Sequence, residues 1–273
     1  MSDAPLSPRN SRLTAARRLV RAKDRAEAGE FLAEGPQAVQ EALALGSVRD
    51  GGPVVSVYVA AGSRARHREL LDLAGAAGAS VSTVTDVAAA QLSETVSPQG
   101  IVAVCRRVDV PLATVFATRP RLVAVLAAVR DPGNAGTVLR TADAAGAGGV
   151  VLTSESVDVY NGKCVRATAG SLFHLPVAVG APVAEVVMAA RAAGLRVLAA
   201  DGTGDADLDA EVDAGRLVGP TAWVFGNEAW GLPEDVRALC DAVVRIPIHG
   251  RAESLNLASA AAVCLYASAR AQR

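Results

Sequence analysis

The sequence predicts an α/β protein in which a mostly parallel sheet follows a smaller α/β domain. Strand-like and helix-like segments alternate along the chain, and this order requires crossover helices on a mostly parallel sheet. The segment 121–129, RLVAVLAAV, is continuously apolar after its first residue, as is typical of a parallel strand buried on both faces. Hydrophobic residues make up 51% of the 273 residues, which is enough for a large core of Val, Leu and Ala.

The first part of the chain, 1–106, is predicted to be the small α/β domain, behind a basic leading helix. Pro36 stands near the first position of one helix, and Asp86 is expected to cap a later one. In order, we predict a helix at 9–28, a strand and a helix within 30–46, a strand at 53–60, a helix at 63–78, a strand at 80–85, a helix at 86–94 and a strand at 100–106.

The segment 107–120 contains two prolines and has no clear period, so it is predicted to be a linker. The second part, 121–273, then carries the parallel sheet. In order, we predict a strand at 121–129, a loop and a helix within 131–149, a strand at 150–153, a short helix after Gly162, a strand at 175–179, a helix at 182–194, strands at 195–201 and 221–226, a helix at 232–240, a strand at 242–248 and a final helix.

Composition excludes several classes of protein. The four cysteines are scattered without a C-x-x-C pair and the three histidines form no H-E-x-x-H, so we expect neither a disulfide framework nor a metal site. The chain has no apolar run long enough for a membrane span and no visible secretory signal, and it is predicted to be cytoplasmic. Aromatic residues are only 3%, so stacking on bases cannot be its main way of binding nucleic acid.

The formal net charge of −1 argues against general coating of nucleic acid, but one segment is strongly basic. Seven Arg and Lys residues lie between Arg9 and Arg25, against one acid, Asp24. At helical spacing they form either an ordinary solvated helix face or a local patch that binds nucleic acid.

Three predicted strands end in irregular turns that carry polar residues. Asn134 follows the strand at 121–129, Glu228 follows TAWVFG, and Ser254 and Asn256 lie in IPIHGRAESLNLAS after AVVR. Ligands of open α/β sheets bind beyond the carboxyl ends of the strands, so the three turns together predict one pocket. Taken alone, Asn134 is more simply an N-cap, and Glu228 a helix cap or the partner of an arginine.

The three turns lie within segments that resemble a known family. NAGTVLRTADAAGAGGVVL, VFGNEAWGLPEDV and IPIHGRAESLNLASAAAVCLYA are similar, in this order, to the three motifs of the SpoU/TrmH family within the SPOUT class of RNA methyltransferases. FLAEGPQAVQEAL resembles the small ribosomal-protein-like substrate-binding domain that often precedes the catalytic domain. The resemblance implies a C-terminal trefoil knot, a homodimer and a pocket for S-adenosylmethionine.

The resemblance also implies roles for particular residues. Backbone groups for the cofactor would come from Gly226, Ile246 and Leu255. The family's catalytic and substrate positions fall on Asn134, Arg140, Glu228, Ser254 and Asn256. Phosphate contacts to RNA from the basic segment are expected at Arg12, Arg17, Arg18, Arg21 and Arg25.

The implied activity is transfer of a methyl group from S-adenosylmethionine to a ribose 2′-hydroxyl of RNA, with large-subunit (23S) rRNA favoured as substrate. The family proposal makes Arg140 the base, but a guanidinium stays protonated, so we favour a phosphate clamp and leave both roles open. The same chemistry on tRNA, and a non-catalytic protein that binds RNA or the ribosome, are the alternatives.

Overall fold

The computed structural model describes residues 4–47 and 50–273, and the chain divides into two compact units. The first unit is Met1–Val108 with Tyr160–His174, and the second is Asp109–Val159 with Leu175–Arg273. Two features of this division differ from the sequence prediction. The predicted linker contains a helix, α6 (Leu112–Ala117), whose apolar residues Val115 and Phe116 are buried in the core of the second unit. Tyr160–His174 belongs to the first unit, although the sequence assigns it to the second.

The first unit is built on a four-stranded mixed sheet with strand order β1-β4-β2-β3. The β4 strand pairs antiparallel with β1 and β2, and β2 pairs parallel with β3. Its strands are β1 (Glu30–Glu34), β2 (Val54–Ala60), β3 (Ser80–Val84) and β4 (Ile101–Arg106). Its helices are α1 (Ser11–Arg18), α2 (Ala22–Ala28), α3 (Pro36–Ala44), α4 (Arg68–Ala76), α5 (Asp86–Ala90) and α8 (Gly162–Thr168).

The basic leading segment is two helices and not one. The backbone leaves the helix between α1 and α2, and Arg25 Nη1 donates hydrogen bonds to the carbonyl oxygens of Leu19 (2.9 Å) and Val20 (2.7 Å). These carbonyls lie at the end of α1, where no helical donor is available to them. The cap of α5 also differs, because Thr85 and not Asp86 is the N-cap and accepts from the amide of Ala88.

One face of this sheet supports α1. Leu32, Val104, Ser56 and Ser80 are register neighbours across the four strands and therefore share a face. The buried side of α1, which includes Leu13, belongs to the same apolar cluster as Leu32 and Val104. The first unit therefore has a core of its own.

The second unit carries the predicted parallel sheet, with seven strands in the order β7-β6-β5-β10-β8-β11-β9 and parallel pairing throughout. Its strands are β5 (Leu122–Leu126), β6 (Val150–Thr153), β7 (Val177–Ala181), β8 (Arg196–Ala200), β9 (Ala206–Asp207), β10 (Thr221–Phe225) and β11 (Ala242–Arg245). Its helices besides α6 are α7 (Pro132–Ala144), α9 (Val183–Ala192), α10 (Leu208–Asp213), α11 (Glu234–Leu239) and α12 (Leu257–Ala271). The sequence did not predict β9 and α10, which are short and rich in acidic residues.

The centre of this sheet positions the polar turns. The β5 and β10 strands are adjacent and buried along their whole length, and β10 also pairs with β8, the neighbour of β11. Because these strands are parallel, the turns after β5, β10 and β11 emerge at the same edge of the sheet. The last helix, α12, is fixed to β10 by a buried hydrogen bond of 2.8 Å from Trp223 Nε1 to Ser268 Oγ.

Candidate functional site

A chain of hydrogen bonds joins the three polar turns. Glu228, in the turn after β10, accepts from two backbone amides of the turn after β5, those of Arg130 at 3.2 Å (Oε2) and Asp131 at 3.1 Å (Oε1). Its Oε1 also accepts from Asn134 Nδ2 at 3.1 Å. Asn134 Oδ1 in turn accepts from Asn256 Nδ2 at 3.2 Å. The structure therefore brings together three residues that the sequence placed far apart.

The carboxylate of Glu228 determines which atoms donate and which accept in this series of hydrogen bonds. An ionised carboxylate can only accept hydrogen bonds, so Asn134 must present its Nδ2 to Glu228 and its Oδ1 to Asn256. Asn256 then presents Nδ2 to Asn134 and uses its Oδ1 to accept from the amide of Ala258 at 2.9 Å. Both side-chain amides are thus oriented by the network.

Two residues of these turns cap helices: Asp131 caps α7 and Asn256 caps α12. Asp131 is the N-cap of α7 and accepts from the amide of Asn134 at 2.7 Å, so the alternative that Asn134 is the N-cap is wrong. Pro132 begins the helix, and Asn134 lies within its first turn with its side chain available for the network. Asn256 does cap α12, but its Nδ2 remains for Asn134.

Glu228 is held in its charged form. Partial burial acts to raise its pKa, but hydrogen bonds from its own backbone amide, from Asn134 and from the amides of Arg130 and Asp131 outweigh burial and hold the pKa below the ordinary value. Glu228 is therefore ionised at neutral pH and serves as an acceptor that fixes geometry.

A cavity of about 470 Å³ adjoins this network. Its walls include the three predicted cofactor residues, Gly226, Ile246 and Leu255, and two of the predicted catalytic residues, Glu228 and Ser254. The volume is within the usual range for small-molecule sites. Five of the eight residues assigned to the active site by the resemblance thus border one cavity.

The loop between β11 and α12 lines this cavity with unpaired peptide groups. Among the described residues, the backbone of 246–255 makes no hydrogen bond with other backbone groups. Peptide groups in a folded protein are nearly always paired, with protein, water or a ligand. The donors and acceptors of this loop are therefore available to a molecule in the cavity, which fits a ligand with a polar edge.

Glycine at position 226 is required by close packing. A Cβ there would lie 2.5 Å from the carbonyl carbon and oxygen of Gly231, closer than real contacts allow. Gly231 itself has a φ of +66°, a conformation that favours glycine. The two glycines thus let the turn after β10 fold back on itself beside the cavity.

Two residues in the wall of the cavity are not among those predicted from the sequence. Asp201 follows β8, and its carboxylate accepts hydrogen bonds from Thr203 and, at 3.2 Å, from the amide of Leu232. Burial acts to raise the pKa of Asp201, but these hydrogen bonds and the nearby Arg237 outweigh burial and hold the pKa below its ordinary value. Trp230 leaves 59% of its surface exposed there. Asp201 could have been found, since it stands at the carboxyl end of a predicted strand.

Arg140 lies outside the wall of this cavity. It is on the exposed side of α7, six residues after Asn134, and makes no hydrogen bond or ion pair with the described residues. Six helical residues correspond to a rotation of about 120° from Asn134 after whole turns are removed. Helix geometry thus separates the two side chains, and the role of Arg140 stays a prediction.

The basic residues of the first unit differ in their accessibility. Arg12, Arg17, Arg18 and Arg21 are exposed, as contacts to RNA require. Arg25 is only 4% exposed and caps the end of α1 through two carbonyl oxygens, so its prediction as a phosphate contact is wrong. Its guanidinium is used to pair backbone groups.

Within 4–47 and 50–273, no group of three or more His, Cys, Asp or Glu side chains is arranged to bind a metal ion. The helices of the same residues include none with the length and apolar character that crossing a membrane requires.

Known protein families match most of the chain. Residues 121–266 match the SpoU rRNA Methylase family, and residues 32–111 match the domain described as RNA 2′-O ribose methyltransferase substrate binding. The chain is 34% identical over 260 residues to the 23S rRNA (guanosine(2553)-2′-O)-methyltransferase RlmP of Bacillus subtilis (strain 168). The matched region covers 95% of this chain and 96% of that protein.

Two crystal structures are similar along nearly the whole chain. The AdoMet-bound rRNA methyltransferase from Sinorhizobium meliloti has a TM-score of 0.81 and 32% identity, covering 96% of this chain and 95% of its own. The SpoU methyltransferase AviRb from Streptomyces viridochromogenes, in complex with the cofactor AdoMet, has a TM-score of 0.79 and 32% identity, covering 96% and 98%. By its motifs, its fold and these relatives, the chain belongs to the SpoU family of rRNA methylases.

Proposed function

We propose that this protein is an S-adenosylmethionine-dependent RNA methyltransferase that modifies a ribose 2′-hydroxyl of large-subunit ribosomal RNA in the cytoplasm. The observation that carries the proposal is the network of Glu228, Asn134 and Asn256 beside a cavity whose loop has unpaired peptide groups. The relatives named above, which are rRNA 2′-O-methyltransferases or AdoMet-bound rRNA methyltransferases, support the substrate and the cofactor.

The residues present fit S-adenosylmethionine. Peptide groups of 246–255 are free to bind the polar edge of an adenine, and Ile246 and Leu255 offer apolar surface to its ring. When bound, the sulfonium supplies an electrophilic methyl group. The chain's own task is then to orient the acceptor hydroxyl for attack on the methyl carbon, while the hydroxyl proton passes to solvent water.

The polar side chains divide this task. The ionised Glu228 and the two asparagines hold the three turns in register, and exposed Ser254 stands at the wall of the cavity as a hydrogen-bonding group for the ribose. A guanidinium is a poor base and a good two-pronged partner of a phosphate, so we assign Arg140 to a phosphate next to the target ribose and not to proton removal. It has no partner in the described chain that would oppose this role.

We also propose that the C-terminal part forms a trefoil knot and that the protein is a homodimer. The strand order supports the knot, because β10 is inserted between β5 and β8, and β11 between β8 and β9, after those strands have appeared in the chain. The face of α12 that exposes Val263 (42%) and Tyr266 (50%) supports the dimer, since a second copy would cover it. Light scattering on Val263→Lys tests the dimer: a monomer is expected, and an unchanged mass would contradict this surface.

The activity is tested by incubating the protein with methyl-labelled S-adenosylmethionine and with RNA isolated from cells that lack the protein. We expect 2′-O-methylation at one site of large-subunit rRNA, located by mass spectrometry. Labelling of tRNA alone would favour the alternative substrate. Failure of calorimetry to detect S-adenosylmethionine binding would favour the non-catalytic alternative.

A further inference from the structure

The first unit contains a second cavity that methyl transfer does not use. It has a volume of about 520 Å³ and is bordered by α1, α2 and all four strands of the mixed sheet. Leu19, Val55 and Val104 give it apolar walls. Its volume is within the range of small-molecule sites, and more than half of its lining residues are polar or charged, as suits a polar ligand.

The hydroxyl of Tyr58 indicates that a ligand belongs in this cavity. Tyr58 lines the cavity and is only 5% exposed, yet its hydroxyl has no hydrogen-bond partner among the described residues. No side-chain nitrogen or oxygen of these residues is both fully buried and unpaired, so the hydroxyl must be the part of Tyr58 that remains accessible. Because Tyr58 lines the cavity, this hydroxyl is available to hydrogen-bond a bound molecule or water there.

Glu30 supplies a second unused group. It begins β1, is half-buried, lines the same cavity, and makes no hydrogen bond or ion pair with the described residues. Its two carboxylate oxygens can only accept hydrogen bonds. The cavity thus offers a pair of acceptors to a ligand that presents two donors side by side.

The two arginines at this cavity differ in their freedom. Arg18 is engaged by Asp24, with 2.6 Å between Nη2 and Oδ1. Arg12 makes only a long contact of 3.4 Å with Ser80 Oγ. Arg12 is exposed and lines the cavity, so its guanidinium can reach an anionic group at the rim.

We propose that this cavity binds an unpaired guanine nucleotide. Guanine presents its N1–H and its N2 amino group next to each other, a match for the paired oxygens of Glu30, whereas the other bases lack two adjacent donors on that edge. Tyr58 bonds a further polar atom of the base, the apolar walls contact its faces, and Arg12 contacts the phosphate. That the nucleotide belongs to the substrate RNA rests on the proposed function.

The first test measures binding of GMP and AMP to the full-length protein by ligand-observed NMR, without any catalytic step. We expect preference for GMP, weakening of about tenfold or more in Glu30→Gln, as for loss of a bidentate base contact, and about threefold in Tyr58→Phe. Glu69→Gln, which changes an exposed acid of α4 away from the cavity, is the matched control and should bind GMP like the parent protein. Equal binding of GMP and AMP, or of GMP by the parent and Glu30→Gln, would overturn the proposal.

A second test distinguishes the source of the nucleotide. If the guanine belongs to RNA, unlabelled rRNA displaces GMP, and Glu30→Gln raises the KM for RNA more than it lowers kcat. If GMP binds selectively but RNA neither displaces it nor shows a changed KM, the ligand is a free guanine nucleotide. Selective GMP binding without any methyl transfer to RNA would refute the proposed function and leave this site standing.

Discussion

Replacing Glu228 by glutamine tests whether the hydrogen-bonded network holds the site together. The substitution keeps the size of the side chain and removes its charge. A glutamine has one acceptor oxygen, which can still serve Asp131 and Asn134, the two donors that now share Oε1. In the parent protein the amide of Arg130 donates to Oε2 at 3.2 Å. In the variant the NH2 group of the glutamine takes the place of Oε2, so two donors face each other and this hydrogen bond is lost.

The expected cost follows from these three bonds. Hydrogen bonds to charged groups contribute about 1.5–3 kcal/mol and neutral ones about 1 kcal/mol, with less for exposed groups. Because Glu228 is exposed, losing one bond and making two others neutral should cost about 2 kcal/mol in total. If this cost falls on the geometry of the transition state, kcat/KM for methyl transfer drops about 30-fold.

The pH dependence gives an independent check. The folded-state pKa of Glu228 is depressed, so the carboxylate contributes stability above its unfolded pKa of about 4.3 and loses it as the pH falls through the folded value. Glu228→Gln has no such ionisation. We therefore expect the difference in unfolding free energy between parent and variant to be full at pH 7 and to shrink below about pH 4.

The assays are urea unfolding at pH 7 and at acidic pH, and initial rates of methyl transfer to rRNA. Glu185→Gln is the control, since it changes an exposed acid of α9 in the same unit that has no hydrogen bond to lose. A Glu228→Gln protein with parental stability and a kcat/KM within twofold of the parent would show that the network does not position the site.

Four further substitutions test other parts of the structure. Gly226→Ala should weaken S-adenosylmethionine binding about tenfold or more by calorimetry, because its Cβ would lie 2.5 Å from the carbonyl of Gly231; unchanged affinity would contradict the tight turn. Arg25→Met should lower the unfolding free energy by about 2 kcal/mol, since two buried carbonyls lose their donor, whereas exposed Arg21→Gln should weaken RNA binding at low salt and leave stability unchanged. Arg140→Lys should reduce methyl transfer by losing the planar two-pronged phosphate contact, and near-parental turnover would exclude any need for it.

Periodicity predicted the fold where hydrophobic pattern determines structure. The continuous apolar run gave β5, and the alternation of strands and helices gave the parallel sheet. It failed at the break between α1 and α2, because the break depends on the buried side chain of Arg25, which composition presents as one more surface cation. It also failed for α6, whose two flanking prolines suggested a linker although its apolar residues pack into a core.

The sequence was enough to identify residues of the site, but it did not show the role that each of them has. Position at strand ends identified Asn134, Glu228 and Asn256, but only the structure shows Glu228 as the acceptor that orients both asparagines. Asp201 was missed because the turn after β8 has neither a proline nor a motif, and its role depends on contacts with a distant turn. The position of Asp201 at a strand end was visible in the sequence, but contacts between remote segments, which give it its role, leave no local pattern.

The geometry of the loop at 246–255 follows from how its two ends are held. Arg245 anchors the first end, donating to the carbonyl oxygen of Gly204 at 2.9 Å and pairing with Asp207. Asn256 anchors the other end through α12 and Asn134. Between them, no backbone hydrogen bond consumes the loop's peptide groups. A loop fixed at its ends and unpaired in its middle loses less entropy when a ligand binds than a free loop would, while keeping its donors and acceptors for that ligand. We therefore expect the network around Glu228 to influence cofactor binding through the second anchor, which fixes the end of the loop at Asn256.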